Sequence, residues 1–161
     1  MPKPLLNSII SKTQSAFIAG RLIMDNVLIA FELLHHKKTD CLGKKGFMAL
    51  KLDISKAYDR VEWVFLKNIL LRLGFPQSWV DLIMECVTSV SYSILVNGEL
   101  EGMIYLSRGI RQGDPLSPYL FLFWVEGLNA ILRKAATAEE IEGFSLCRRG
   151  PKITHLFFAD D

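Results

Sequence analysis

Residues 92–106 read Tyr92-Ser93-Ile94-Leu95-Val96, then Asn97-Gly98, then Glu99 through Leu106. Two β-prone runs joined by Asn-Gly are the strongest short hairpin signal a sequence offers. The favoured two-residue turn needs positive φ at both central positions, and Asn and Gly tolerate that best. An antiparallel strand pair is therefore expected in the middle of the chain. Helical periodicity lies on both sides of it. Upstream, Val61, Phe65, Ile69 and Leu73 recur at helical spacing with Gly74 as the stop. Gln77 to Thr88 repeats the device, with Val80, Ile83, Met84 and Val87 as an inward stripe. Downstream, a strongly apolar segment runs from Tyr119 to about Lys134. Pro115 or Pro118 suits its first turn, where no amide hydrogen is needed. Helices around an antiparallel pair predict an α+β domain with helices under a mainly antiparallel sheet.

The flanks are read the same way. Leu5 to Gly20 is a mixed segment with a turn at Gly20. A helix is predicted from Leu22, with Asp25 and Asn26 near its start and Val27, Ala30, Phe31 and Leu34 on one face. His35 and His36 end it; adjacent residues diverge on a helix, so they fit a helix C-terminus better than a joint metal site. Phe47 to Asp53 reads as a strand, and Ile141 to Phe144 and Ile153 to Phe158 as two more short ones.

Composition sets wide bounds. At 161 residues the chain has the length of one domain, and 50% hydrophobic with 22% charged residues is a globular balance. A net charge of +2 does not by itself call for a polyanionic partner. Lysines 37, 38, 44 and 45 cluster in one place, and Arg148, Arg149 and Lys152 in another. Both clusters read equally as solvated loops or as phosphate contacts. Cys41, Cys86 and Cys147 fit neither a disulfide framework nor zinc spacing, which favours a reducing compartment. The longest apolar run, Tyr119 to Val125, is far short of a membrane span, so no membrane role is expected.

The chemistry-bearing feature is acidic. Asp53 stands at the end of its expected strand, and Phe157-Phe158-Ala159 leads into Asp160 and Asp161. Carboxylates beside apolar neighbours need a partner or a cation. Three acids delivered by two strand ends fit magnesium, which takes hard oxygen ligands and keeps several waters.

Three blocks carry a family resemblance: Leu52-Asp53-Ile54-Ser55-Lys56-Ala57-Tyr58-Asp59, Arg108-Gly109-Ile110-Arg111-Gln112-Gly113-Asp114-Pro115-Leu116-Ser117-Pro118, and Phe158-Ala159-Asp160-Asp161. In that order they resemble motifs A, B and C of the reverse transcriptases of plant LINE-type (non-long-terminal-repeat) retrotransposons. Gln14 to Ile18, Gly20-Arg21 and Asp25-Asn26 are similar to the same family's stretch ahead of motif A. The resemblance implies a right-hand polymerase palm with part of the fingers, residues 1–46 on the fingers side and 47–161 the palm. It implies RNA-directed DNA synthesis, in which a dNTP is joined to a DNA primer 3′-hydroxyl on an RNA template by two-metal phosphoryl transfer. Asp53, Asp160 and Asp161 are the implied catalytic ligands of Mg²⁺, with Mn²⁺ as an alternative.

By the same resemblance Tyr58 lies beneath the incoming sugar, where a ring collides with a 2′-hydroxyl; the bland reading is a core residue at a helix start. Gln112 and Gly113 are implied to touch nucleotide and template. Arg111 is either a phosphate contact or solvated, and Arg21 is a candidate template or nucleotide contact. The chain starts after the early fingers segments and ends at the second acid of motif C, so a fragment truncated before the thumb is expected, inactive alone. Its unpaired strand edge is expected to invite self-association. A nuclear site suits the resemblance, although no basic import signal is evident. The alternative is a non-catalytic remnant that binds nucleic acid or pairs with an intact polymerase.

Overall fold

The computed structural model describes residues 3–39, 48–147 and 150–158. The elements run α1 (Lys3–Ile9), α2 (Ile23–Thr39), a 3-10 turn (Ala57–Arg60), α3 (Trp63–Arg72), α4 (Gln77–Thr88), β1 (Ser91–Val96), β2 (Glu99–Tyr105) and α5 (Ser117–Thr137). The α+β expectation holds: among the described residues five helices accompany an antiparallel two-stranded sheet. The chain divides into two compact units, one of Lys56–Val125 and one of Met1–Ser55 with Glu126–Asp161.

The unit of Lys56–Val125 has a strongly apolar core. Val61, Leu66, Leu70, Val80, Leu120, Leu122 and Phe123 are all buried. Four consecutive residues of α5, Leu120 to Phe123, are buried, as expected of a helix apolar on every side. Phe75 closes the corner, stacking on Trp79 at 4.5 Å and meeting Phe123 edge-on at 5.2 Å. Helix α3 ends as its glycine predicts. Gly74 takes φ +87, its N–H donates to Leu71 O, and the N–H of Phe75 donates to Leu70 O, a paired closure of orphan carbonyls. The predicted stripe of α4 holds, with Val80 and Ile83 buried. That of α3 is displaced by one position. Leu66 and Leu70 are buried, while Phe65 and Ile69 are only half-buried.

The hairpin also forms as read. Asn97 (φ 52) and Gly98 (φ 90) make the turn, and Val96 pairs with Glu99. Gly102, at φ +67, sits where the register slips between Tyr92 and Ile94. Nearly all of the hairpin's side chains are exposed.

In the other unit, several expectations are corrected. Residues 48–54 form no strand, and Leu50 and Leu52 are exposed. The expected tail strands reduce to one reciprocal hydrogen-bonded pair, Phe144 with Ile153, and one parallel link of Phe157 to Gln14. A strand exists only through a neighbour that takes up its backbone groups, and among the described residues 48–54 have none. The predicted stripe of α2 is likewise exposed at Val27, Phe31 and Leu34, whereas Asn26 is buried. Periodicity shows which residues share a face, not whether anything covers it. Helix α1 lies in the segment read as mixed; Pro4 in its first turn is the signal that was available.

Beside buried Leu6, Ile10, Ala16 and Ile18, this unit carries a network of buried polar groups. Asn26 Nδ2 donates to the carbonyls of Thr13 (2.9 Å) and Phe157 (2.6 Å), and the N–H of Phe157 donates to Thr13 O at 3.0 Å. Buried Glu126 accepts from the N–H of Ser11 at 2.9 Å and from Asn129 Nδ2 at 2.8 Å. Asn129 Oδ1 in turn faces His155 Nε2 at 2.8 Å, which makes that nitrogen the protonated one. Thr154 Oγ1 lies 2.8 Å from His155 Nδ1 and donates to it. Burial pushes the His155 pKa below the ordinary histidine value, outweighing the attraction of Glu126.

Candidate nucleotide site

The best-defined part of the candidate site lies where the 3-10 turn meets the loop before α5. Lys56 enters that turn in the left-handed conformation at φ 53. The turn carries Tyr58, whose carbonyl accepts the N–H of Ile110 at 3.0 Å. Just beyond, Val61 O accepts the N–H of Gly109 at 2.8 Å. Trp63, the first residue of α3, donates its indole N–H to Gly109 O at 2.7 Å. Gly109 is thus bonded through both its amide and its carbonyl.

Glycine suits this position best. Its φ is +93, and an added Cβ would lie 3.2 Å from Asp59 Cα and 3.3 Å from Asp59 O. The Tyr58 ring is half-buried and stacks on Phe121 of α5, with centroids 5.1 Å apart and planes 10° from parallel. Phe121 continues the stack to Trp124 at 5.7 Å. Tyr58 is therefore held by its backbone from one side and by its ring from another.

The loop beyond Ile110 is exposed at Arg111, Gln112 and Gly113, and Gly113 adopts φ +89 with open space where a Cβ would stand. Asp114 closes it: its Oδ1 accepts the N–H of Leu116 at 2.8 Å and its carbonyl accepts the N–H of Ser117 at 3.1 Å, launching α5. Pro118 falls in the first turn of that helix, leaving Pro115 in the loop. The first amides of α5 are thus taken up by Asp114 and Leu116, and what the exposed loop offers a ligand is its own backbone at 111–113 and the Gln112 carboxamide.

The acids stand differently. Asp53 is exposed on segment 48–54, which has no strand partner among the described residues. Asp160 and Asp161 lie outside the described residues, and no cluster of three acidic, His or Cys side chains occurs among the described ones. Arg21, read as a ligand contact, has its guanidinium engaged at home. It donates to the carbonyls of Ile10, Ser11 and Gln14, pinning the turn between α1 and α2. Gly109, Trp63 and Phe121 were not singled out from the sequence. The signal for Gly109 was its place in the Arg108-to-Pro118 block; an indole N–H seeking a distant carbonyl leaves none.

Residues 2–161 match the family model of the reverse transcriptase (RNA-dependent DNA polymerase). The chain belongs to the reverse transcriptase family. Curated relatives agree with the motif resemblance. A retrovirus-related Pol polyprotein from a type-1 retrotransposable element R2 of Popillia japonica is 34% identical over 131 residues, which is 80% of this chain and 20% of the relative. The transposon TX1 149 kDa protein of Xenopus laevis is 31% identical over 159 residues, 99% of this chain and 12% of that protein. An uncharacterized mitochondrial protein of Arabidopsis thaliana is 45% identical over 67 residues, 42% of this chain and 55% of its own length. The chain thus spans between about an eighth and just over half of these relatives. Among its described residues, no helix is long and apolar enough to cross a membrane.

Proposed function

We propose that this chain supplies the nucleotide-handling part of an RNA-directed DNA polymerase palm, residues 47–161, with 1–46 on the fingers side. The observation that carries the reading is the bonding of residues 58–61 to 109–110, which joins the ring of motif A to the loop of motif B. In this reading Tyr58 offers a flat, backed surface to a deoxyribose and excludes a 2′-hydroxyl. Gln112 and the amides around Gly113 orient base and phosphate, and Arg111 contributes positive charge to the phosphates. RNA template, DNA primer and dNTP are the implied partners.

Asp53, Asp160 and Asp161 are the residues that would hold Mg²⁺ or Mn²⁺, and all-oxygen donors suit such hard cations. Bound there, the cations would stabilise charge on the attacking and leaving oxygens of an in-line phosphoryl transfer. The exposure of Asp53 supports the further proposal that the chain alone extends primers poorly, because positioning supplies much of the rate in such chemistry.

Manganese binding by the 161-residue chain, read by electron paramagnetic resonance with Asp53→Asn and Asp160→Asn variants, tests this reading. Binding lost in both variants supports it. Unchanged manganese binding, with salt-sensitive RNA binding that ignores metal, would favour a non-catalytic nucleic-acid-binding remnant.

A further inference from the structure

We infer that Trp63 and Gly109 are positioning residues that set the height of the Tyr58 ring, and so the discrimination between deoxyribose and ribose. This rests on the nucleotide-site reading above and extends it to residues that touch no nucleotide. Tyr58 is fixed at three places. Its carbonyl takes the Ile110 N–H at 3.0 Å, its ring lies on Phe121, and the turn that carries it is locked at Val61 O by the Gly109 N–H at 2.8 Å. The peptide of Gly109 is common to this arrangement, because its carbonyl is held at 2.7 Å by the Trp63 indole on the following helix.

Two hydrogen bonds, both donated by the 109–110 segment, 109 to the carbonyl of 61 and 110 to that of 58, make a short clamp between the two stretches. A glycine whose missing Cβ lets Asp59 approach to van der Waals distance closes it. Gln112 follows Gly109 by three residues, so ring and loop are tied to one anchor. A ring backed this way cannot recede to admit a bulkier sugar without breaking a hydrogen bond or the stack. Letting the anchor slip should therefore change the ratio of sugar affinities more than overall affinity.

The test compares dATP with ATP on the full 161-residue chain with Mg²⁺ and no primer, so that nothing turns over, by saturation-transfer NMR titration. Wild type is expected to favour dATP, and Tyr58→Ala to erase the preference. Trp63→Phe keeps the ring but deletes the donor. It should cut the preference about fivefold, the worth of one net hydrogen bond, with dATP affinity within about twofold of wild type. Gly109→Ala should do the same if it folds, and Trp63→Phe carries the test if it does not. Erasure by Tyr58→Ala with an intact preference in Trp63→Phe overturns this inference alone. A preference unmoved by Tyr58→Ala, or absent from wild type, overturns the sugar-selecting site and this inference together. A fall in melting temperature without any change in the ratio marks Trp63 as merely structural.

Discussion

Asp53 and Tyr58 belong to one sequence block and live in opposite physical circumstances. Tyr58 sits in a turn whose backbone is bonded to a distant loop and whose ring is stacked on a buried helix. Asp53 lies on an exposed segment whose apolar residues, Leu50 and Leu52, meet water. Both positions follow the same family pattern; what differs is where their partners come from. Tyr58 is held by residues 109, 110 and 121, each with a burial or backbone reason to be in place. A strand through residues 48–54 has no hydrogen-bonded neighbour among the described residues, and extended backbone does not stay ordered by its own propensity. The lesson is that a motif names the chemistry, whereas rigidity comes from the surroundings.

The comparison can be broken most forcefully at the core. Leu66→Ala, at a side chain with no exposure, should cost about 2–5 kcal/mol in urea unfolding. Gly109→Ala follows, at about 1–3 kcal/mol, since it adds strain at positive φ to a tight contact with the Asp59 backbone; a midpoint equal to wild type would show the clamp to be soft. Trp63→Phe should cost about 1 kcal/mol by the same measurement, the net value of a hydrogen bond. Leu52→Ala, the counterpart on the exposed segment, should stay within about 0.5 kcal/mol, and a larger loss would mean that 48–54 is packed in solution.

The smallest effect concerns pH. Burial lowers the His155 pKa, so the folded state prefers the neutral ring. Its contribution is complete above the unfolded histidine value of about 6.5, and it declines as pH falls from there through the depressed folded value. Melting temperature followed from neutral to mildly acidic pH should drop, and His155→Gln should flatten that slope.

Much of the unit of Lys56–Val125 was legible beforehand. Gln77–Thr88 is a helix over the residues read, and Asn97-Gly98 turns the hairpin with the expected positive φ values. Gly74 stops α3 through the paired closure its type favours. These features are written in residues close to one another. The stripe of α2 was legible as a pattern but not as an exposed one, because covering it depends on residues elsewhere. Arg21 was read by its charge, and the structure engages its guanidinium with three carbonyls seven to eleven residues away, so that it serves the turn it belongs to. Of the candidate site, Tyr58 and the exposed loop at Arg111, Gln112 and Gly113 were nameable in advance, and the apparatus around Gly109 was not.

By itself the amino-acid order determined the family, the order of its motifs, the hairpin, and most of the helices with the glycine stop of α3, because turn preferences and apolar spacing act over a few neighbouring residues. Tertiary structure alone decided that Gly109 and Ile110 bond the stretch around Tyr58, that Asn26 is spent on the backbone at Thr13 and Phe157, and that 48–54 goes unpaired among the described residues. Each of those outcomes turns on a hydrogen bond offered or withheld by a residue far along the chain, which no local preference encodes.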